Sequence, residues 1–546
     1  MNLAFVGGRR YVTGVGSRSG GVAVRDGRVV AVGTDAEVRR AAGPNADVVD
    51  LAGGLVSPSF GDAHLHPTMG GVQLEQCSLF HCTTAEECVA AVAAYAAAHP
   101  ELPWILGGGW SMALFPGGTP HKALLDRVVP DRPVLLRNCD QHGSWANSRA
   151  LEIAGITRDT PDPADGRIER DAHGEPSGTL HEGAMHRVAV FAPPPTPASL
   201  RGGLLRGQSL CHSLGISHWQ DALLRRFTPD LDGMSVYLDL ARTGELTARV
   251  RGALWWDRTA GLDQIEDLID LRKQANAEGG MFRATAVKIM VDGVVENYTA
   301  SLSRPYRDAC GHPTDNRGIS FIDRADLREI VATVDAHDFQ AHFHSLGDQA
   351  VTDALDAVAY ARRRNGDRGN RHHLAHLQVV RPDDVPRFAQ LGAIANIQPL
   401  WAQSLPQMTE LTLPFIDPEL AAWQYPFGDL LRAGAFLAAG SDWPVSSANP
   451  IEGIHVAVNR TGVGAAERDT EPFLPHQRLP LVAAWDAYTS GVAYVNGLDR
   501  AVGRAEPGYA ADLTVFDRDP FEGPASEIGT TVVRSTWVAG NCVYER

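Results

Sequence analysis

DRADLREIVATVDAHD (323–338), FQAHFHS (339–345), QAVTDALDAVAYARRR (349–364) and HHLAHLQVV (372–380) follow one another with little loop between them. The first and third are Ala- and Leu-rich helical stretches. The second and fourth are short apolar runs of β type. Strands alternating with helices imply a parallel sheet, because a parallel strand is regained only through a crossover. The pattern extends in both directions through PVLLRN (133–138), TAVKIMVDG (285–293), GAIANIQP (392–399) and GAFLAAGSD (434–442). So many units in one domain favour a barrel over an open sheet.

The two ends read differently. GVAVRDGRVVAVG (21–33) is two β runs about an Asp26-Gly27 turn, and ADVVDLAGGLVSP (46–58) follows it. ADLTVFD (511–517) and TVVRSTWVAGNCVYE (531–545), with a Gly540-Asn541 turn, have the same character. The expectation is a composite β-sandwich from residues 1–56 and 500–546, because chain ends often lie close together. The barrel then occupies 57–499. Residues from about 70 to 200 fit the alternation poorly and are expected as an insertion after the first barrel strand. AVFAPPPTPASL (189–200) reads as the linker back.

A chain of 546 residues is too long for one ordinary core. Hydrophobic residues are 44% and charged residues 21%, the balance of a soluble globular protein. A formal net charge of -16 makes the chain a poor partner for phosphate backbones, so no nucleic acid is expected. No apolar run approaches the roughly 20 residues that span a bilayer, and the N-terminus lacks a secretory pattern. The seven cysteines form no C-x-x-C pair. That argues against a disulfide framework or a zinc ribbon and makes a cytoplasmic setting the expectation.

GLVSPSFGDAHLHP (54–67) carries the first chemical signal. His64 and His66 lie two apart at the end of an apolar run, where both imidazoles can reach one ion, and Asp62 has the same parity. Taken alone, two chance histidines in a turn explain it as well. Lys288, His344, His376 and Asp442 also fall at or near the ends of expected strands. In a parallel barrel those ends open on one face. Each has a bland alternative: Lys288 as an ion-paired core lysine, Asp442 as a helix cap. His342 rivals His344, and His372 and His373 rival His376. Together the positions suggest a hydrolytic metal site. Two cations about 3.5–4 Å apart can share a hydroxide and clamp an oxyanion. Lys288, as a carbamate (N6-carboxylated), would bridge them. His64, His66 and Asp442 would hold one cation, and His344 and His376 the other. Asp442 would carry the proton from the attacking hydroxide to the leaving amine.

These motifs, with NCDQHGSWANSRAL (138–151), VKIMVDGVVENYTASLSRPY (287–306), GSDWPVSSANP (440–450) and AEPGYAADLTVFDRDP (505–520), resemble the amidohydrolase superfamily. The nearest branch is the amidohydrolase-3 group, which includes N-substituted formamide deformylases. The resemblance covers nearly the whole chain. It implies a distorted TIM (β/α)8 barrel with a composite β-sandwich, and one or two divalent metals, usually zinc. By the motif match the metal set is His64, His66, Lys288, His344, His376 and Asp442. The branch often carries a glutamate immediately before its sixth-strand histidine, and here that position is Ala375. A homodimer is compatible with the resemblance.

The substrate is then expected to be a small amide, an N-formyl or N-acyl amine, cut at a non-peptide C–N bond. The alternative is a mononuclear cyclic-amide hydrolase or heterocycle deaminase, with the metal on His64, His66, His344 and Asp442. A non-catalytic binding homologue would have lost ligands, and this chain keeps them all. His142 is a candidate for stabilising an oxyanion or leaving group. Trp110, Trp443 and Asp292 are candidate substrate contacts, and the resemblance adds Asn147; a core or lid role explains the two tryptophans equally well, and a helix cap is the alternative for Asp292.

Overall fold

The structure is a computed structural model. It describes residues 2–224, 226–228, 231–277, 279–464, 467 and 470–546, with side chains at 226–228 and 231–232 left out. Eight strands form one sheet in chain order: β1 (Phe60–Leu65), β2 (Ile216–Leu224), β3 (Arg249–Trp255), β4 (Phe282–Met290), β5 (Gln340–Ser345), β6 (His373–His376), β7 (Ile394–Ile397) and β8 (Phe436–Ala439). Every pairing is parallel. Strands buried on both faces suit such a sheet. The helix Arg324–Ala336 illustrates the outer layer: the Asp323 carboxylate caps it, and Leu327, Ile330, Val331 and Val334 face inward.

The seam between β8 and β1 is joined just past the strand ends. Asp442 N–H donates to the His64 carbonyl at 2.7 Å, and His66 N–H donates to the Trp443 carbonyl at 2.8 Å. The Asp62 carboxylate accepts from the backbone N–H of His64 at 2.9 Å and of Ser441 at 3.1 Å. Asp62 is fully buried and ties β1 to the β8 end, which is why it does not join its neighbours in the mouth of the barrel.

Strand Leu55–Pro58 pairs antiparallel with Leu513–Phe516, so residues from both ends of the chain share one six-stranded sheet. The Asp26-Gly27 turn has φ of 51° and 73°, the doubly left-handed backbone that suits a two-residue hairpin. The last hairpin turns one residue earlier than expected. Ala539 and Gly540 have φ of 48° and 78°, and Asn541 already begins the final strand.

Between β1 and β2 lies a separate mixed sheet of six strands, from Cys77–Ser78 to Pro176–Glu182. PVLLRN belongs here, as Val134–Asn138 parallel to Ile105–Trp110, and not among the barrel strands. Local composition cannot distinguish a buried strand of one sheet from that of another. β2 and β3 escaped the sequence reading because polar side chains interrupt them: Ser217, His218, Gln220 and Asp221 in one, two arginines in the other. Among the described residues, no helix is long and apolar enough to cross a membrane. All seven cysteines are free thiols.

Candidate active site

The C-terminal mouth of the barrel collects His64 at the end of β1, His66 just beyond it, Lys288 on β4, His344 on β5, His376 closing β6 and Asp442 past β8. His66 Nε2 is 3.0 Å and His64 Nε2 3.3 Å from Asp442 Oδ1. Lys288 Nζ stands 3.4 Å from His64 Nε2. The His376 ring centroid is 4.7 Å from that of His64 and 4.5 Å from that of His344. His376 and Asp442 both have left-handed backbones, with φ of 81° and 58°. Such a conformation costs a residue with a side chain about 1–3 kcal/mol and persists only where surroundings hold it. Here the hold is explicit: His376 N–H donates to Gln398 Oε1 at 2.7 Å, and Asp442 N–H to His64.

Burial keeps His64, His344 and His376 neutral. His64 is pulled down to about 3, mainly by desolvation and then by Lys288. Desolvation holds His344 and His376 well below the ordinary histidine value. Burial also lowers Lys288, to about 7, against the pull of Asp442. Burial opposes charge on Asp442, but His64, His66 and His376 outweigh it and hold the carboxyl well below its usual range. Neutral imidazoles beside a carboxylate are the protonation states a divalent cation requires. The donor atoms of His64, His66 and Asp442 all lie within 4.8 Å of one another. His344 Nε2 and both ring nitrogens of His376 are buried without a hydrogen-bond partner. A buried unsatisfied nitrogen costs about 1–3 kcal/mol, so the group fits a cation at this position.

The rival histidines sit elsewhere. His342 lies deeper in the barrel, with Nε2 2.8 Å from His64 Nδ1. His373 lies beside His342, against Gln220, and His372 pairs with Asp335 at 3.0 Å.

Two cavities meet over the cluster. One of about 180 Å3 is lined by His64, His66, Lys288, His344, His376 and Asp442. The other, about 270 Å3, is mainly apolar and is lined by Val294, Leu346, Leu405, Met408, Trp401 and Val445. His142, His344 and Asp442 line both. The Trp401 ring stacks on His376, with centroids 5.3 Å apart and planes 11° apart. The cavity that holds the candidate ligands thus continues into a second, more apolar one, and Asp140 and Val445 also line both.

A family model described as the amidohydrolase family matches residues 47–544. The chain belongs to the amidohydrolase family. It is a hydrolase acting on carbon–nitrogen bonds. It is 28% identical to the N-substituted formamide deformylase of Arthrobacter pascens, over 96% of this chain and 95% of that protein. It is 29% identical to the protein LONG AFTER FAR-RED 3 of Arabidopsis thaliana, over 96% and 88%. An uncharacterized metal-dependent hydrolase from Pyrococcus horikoshii shares the fold, with a TM-score of 0.73 at 23% identity over 96% and 99% of the two chains.

In this amidohydrolase, four residues expected at the substrate have other work. Trp110 is fully buried in the core of the insertion and donates to the Leu136 carbonyl at 3.0 Å. Asn147 caps helix Ser148–Ile153, and its amide makes four hydrogen bonds, to Val134, Ala150, Val129 and Arg132. With every donor and acceptor used, none remains for a substrate. Asp292 accepts from the N–H groups of Ser301, Leu346 and Gly347 at 2.9–3.0 Å, and so pins the loops after β4 and β5. Trp443 packs its ring on Gly70, where an added Cβ would meet it at 2.6 Å, and offers its carbonyl to His66. Asn147→Ala is expected to cost about 2–3 kcal/mol of stability with kcat and KM unchanged, from loss of the cap and two stranded carbonyls. Thermal unfolding beside steady-state kinetics checks this; a raised KM at unchanged Tm would return Asn147 to the pocket.

His142 does reach the site, with its ring centroid 5.2 Å from that of His344. Its Nδ1 lies 2.9 Å from a Glu182 oxygen. Burial works against its cation, but Glu182 more than reverses that and lifts His142 to about 9. Glu182 escaped the sequence reading. It stands 40 residues from His142 in an unremarkable strand, and only the antiparallel pairing of Gly143–Ala146 with Pro176–Glu182 joins them. Trp401 was missed because no motif marks it.

Proposed function

We propose that this chain hydrolyses the amide bond of a small N-formyl or N-acyl amine bearing an apolar substituent. His64, His66, Lys288, His344, His376 and Asp442 hold one or two divalent cations in this reading, and zinc suits the donor set. The observation that carries it is the cluster of neutral, partner-seeking imidazoles around one carboxylate, opening on an apolar cavity. The relative named for deformylation of N-substituted formamides supports the same bond.

When bound, the cation supplies Lewis acidity and lowers the pKa of a water. The protein does the rest. Asp442, touching His64 and His66, takes the proton from the attacking water and returns it to the leaving nitrogen. His142, held as a hydrogen-bond donor by Glu182, faces the carbonyl oxygen from the opposite wall and stabilises its growing charge. Trp401, Met408 and Leu405 take the apolar substituent and exclude water from it. Burial leaves Lys288 able to shed its proton, and the free amine is the form that captures carbon dioxide as a carbamate. As that anion Lys288 would add a further ligand to the set.

One observation favours a mononuclear alternative. Of the candidate histidine and aspartate ligands, only His64, His66 and Asp442 bring their donor atoms within 4.8 Å of one another. A single cation on that trio, with His344 as its fourth ligand and Lys288 unmodified, suits cyclic-amide hydrolysis or heterocycle deamination.

Metal content measured on protein purified without chelators, with a panel of N-formyl and N-acyl amines, tests the proposal. Expected are one or two metals per chain and turnover that rises with the apolar substituent. Metal-replete protein that turns over no amide would overturn it. Trp401→Ala is expected to raise KM about 10-fold or more for arylalkyl amides and leave that for unsubstituted formamide unchanged, because a buried indole face contributes about 1.5–3 kcal/mol. Equal effects on both substrates would place Trp401 outside the pocket.

A further inference from the structure

Beneath the candidate ligands lies a buried polar chain whose hydrogen-bond direction is set by its far ends. Gln340 Nε2 contacts two backbone carbonyls, of Arg371 at 2.6 Å and Val495 at 2.8 Å. Only an NH2 group can satisfy both, so Gln340 Oε1 is the end that faces Gln220, 3.0 Å away. Gln220 must therefore donate there through Nε2, which also reaches Asn496 Oδ1 at 3.1 Å. Its Oε1 then faces His342 Nδ1 at 2.6 Å and His373 Nε2 at 3.1 Å, and both of those nitrogens must carry hydrogen.

An independent anchor agrees. Asn396 Nδ2 contacts the Ala63 carbonyl at 3.0 Å and His373 Nδ1 at 3.1 Å. That end is the amide nitrogen, so His373 Nδ1 is bare and His373 Nε2 is the protonated one, as the first anchor requires. His342 is fully buried, its ring nitrogens face Gln220 and His64, and among the described residues no carboxylate contacts it, so nothing there supports a cationic ring. With hydrogen on Nδ1, its Nε2 is a bare acceptor. It lies 2.8 Å from His64 Nδ1.

We infer that His342 and Gln220 are positioning residues that hold His64 in one tautomer, hydrogen on Nδ1 and a bare Nε2 presented toward Asp442 and Lys288. The chain runs Gln340, Gln220, His342, His64; at the last link the 2.8 Å contact with His342 competes with Asp442 Oδ1, 3.3 Å from His64 Nε2, and the shorter contact favours hydrogen on Nδ1. A metal-bound imidazole is usually oriented by a carboxylate or carbonyl on its other nitrogen. Here a second neutral imidazole takes that place. A carboxylate would add negative charge to a region sealed from water; a histidine backed by an amide gives the orientation without it. The inference rests on His64 being a ligand in the reading above.

Two measurements test it. Long-range proton–nitrogen spectra of histidine-labelled, metal-free protein should show His64 with hydrogen on Nδ1; hydrogen on Nε2 would overturn the inference, whether or not the protein binds metal. Zinc affinity, read by competition with a chromogenic chelator, separates a positioning role from packing. His342→Leu is expected to weaken zinc binding about 10–100-fold. His342→Gln, which restores an acceptor oxygen near His64 Nδ1, should stay within about threefold of the parent. Unchanged affinity in the leucine variant, or equal losses in both variants, would overturn it. Failure of the parent to bind zinc at all would remove the proposed metal function and leave the tautomer measurement to decide the chain of hydrogen bonds.

Discussion

Asp442→Asn is expected to lower kcat by at least about 10^3-fold while the protein still folds and retains most of its metal. The carboxamide keeps the shape of the side chain. It also keeps the two backbone bonds that hold the residue in its left-handed conformation, from Asp442 N–H to His64 and from Val445 N–H to Asp442 at 2.8 Å. What it loses is basicity. Among the described residues no other carboxylate shares the contacts Asp442 makes with His64 and His66, and Asp62 is fully buried and committed to backbone N–H groups. General acid–base transfer by a positioned group contributes about 10^2–10^4-fold, and loss of the negative charge beside the cation adds to the deficit. Steady-state kinetics with metal analysis on the same sample checks this. A kcat within tenfold of the parent would remove Asp442 from the proton path.

Stripping the metal is expected to abolish turnover and lower Tm by several degrees, with zinc restoring both. The stability change follows from linkage: a ligand at a thousandfold over its Kd stabilises the native state by about 4 kcal/mol. Without a cation, the His344 and His376 nitrogens stand unsatisfied in a buried cluster. Reconstitution with and without bicarbonate then reads the role of Lys288. If the lysine carries a carbamate, carbon-dioxide-free buffer should yield one equivalent of zinc and bicarbonate two. If both yield one, the mononuclear reading stands. Activity unaffected by exhaustive chelation, with no metal detected, would remove the metal from the reaction.

Much of this could be read from local pattern. The Asp26-Gly27 hairpin, the helices and five of the named β runs are local consequences of turn chemistry and periodicity. The convergence of His64, His66, Lys288, His344, His376 and Asp442 was also legible, because parallel strands in one barrel must end on one face. Trp110 and Asn147 sit in motifs that look functional, yet Trp110 fills a core and Asn147 spends its amide on four backbone partners.

The sequence alone determined the class of sheet, the face on which chemistry gathers and the residue types available there. Those follow from spacings of two and 3.6 residues, which are properties of the backbone. The tertiary structure alone decided depth and partnership. His342 and His344 share one face of β5 and differ only in height along the barrel, by about 6.6 Å at the rise of a strand. Which of them meets the cavity depends on how β5 is staggered against β1 and β4. The pairing of His142 with Glu182, the stacking of Trp401 on His376 and the chain from Gln340 to His64 likewise join residues far apart in sequence. Contacts of that kind are made by packing and leave no local trace.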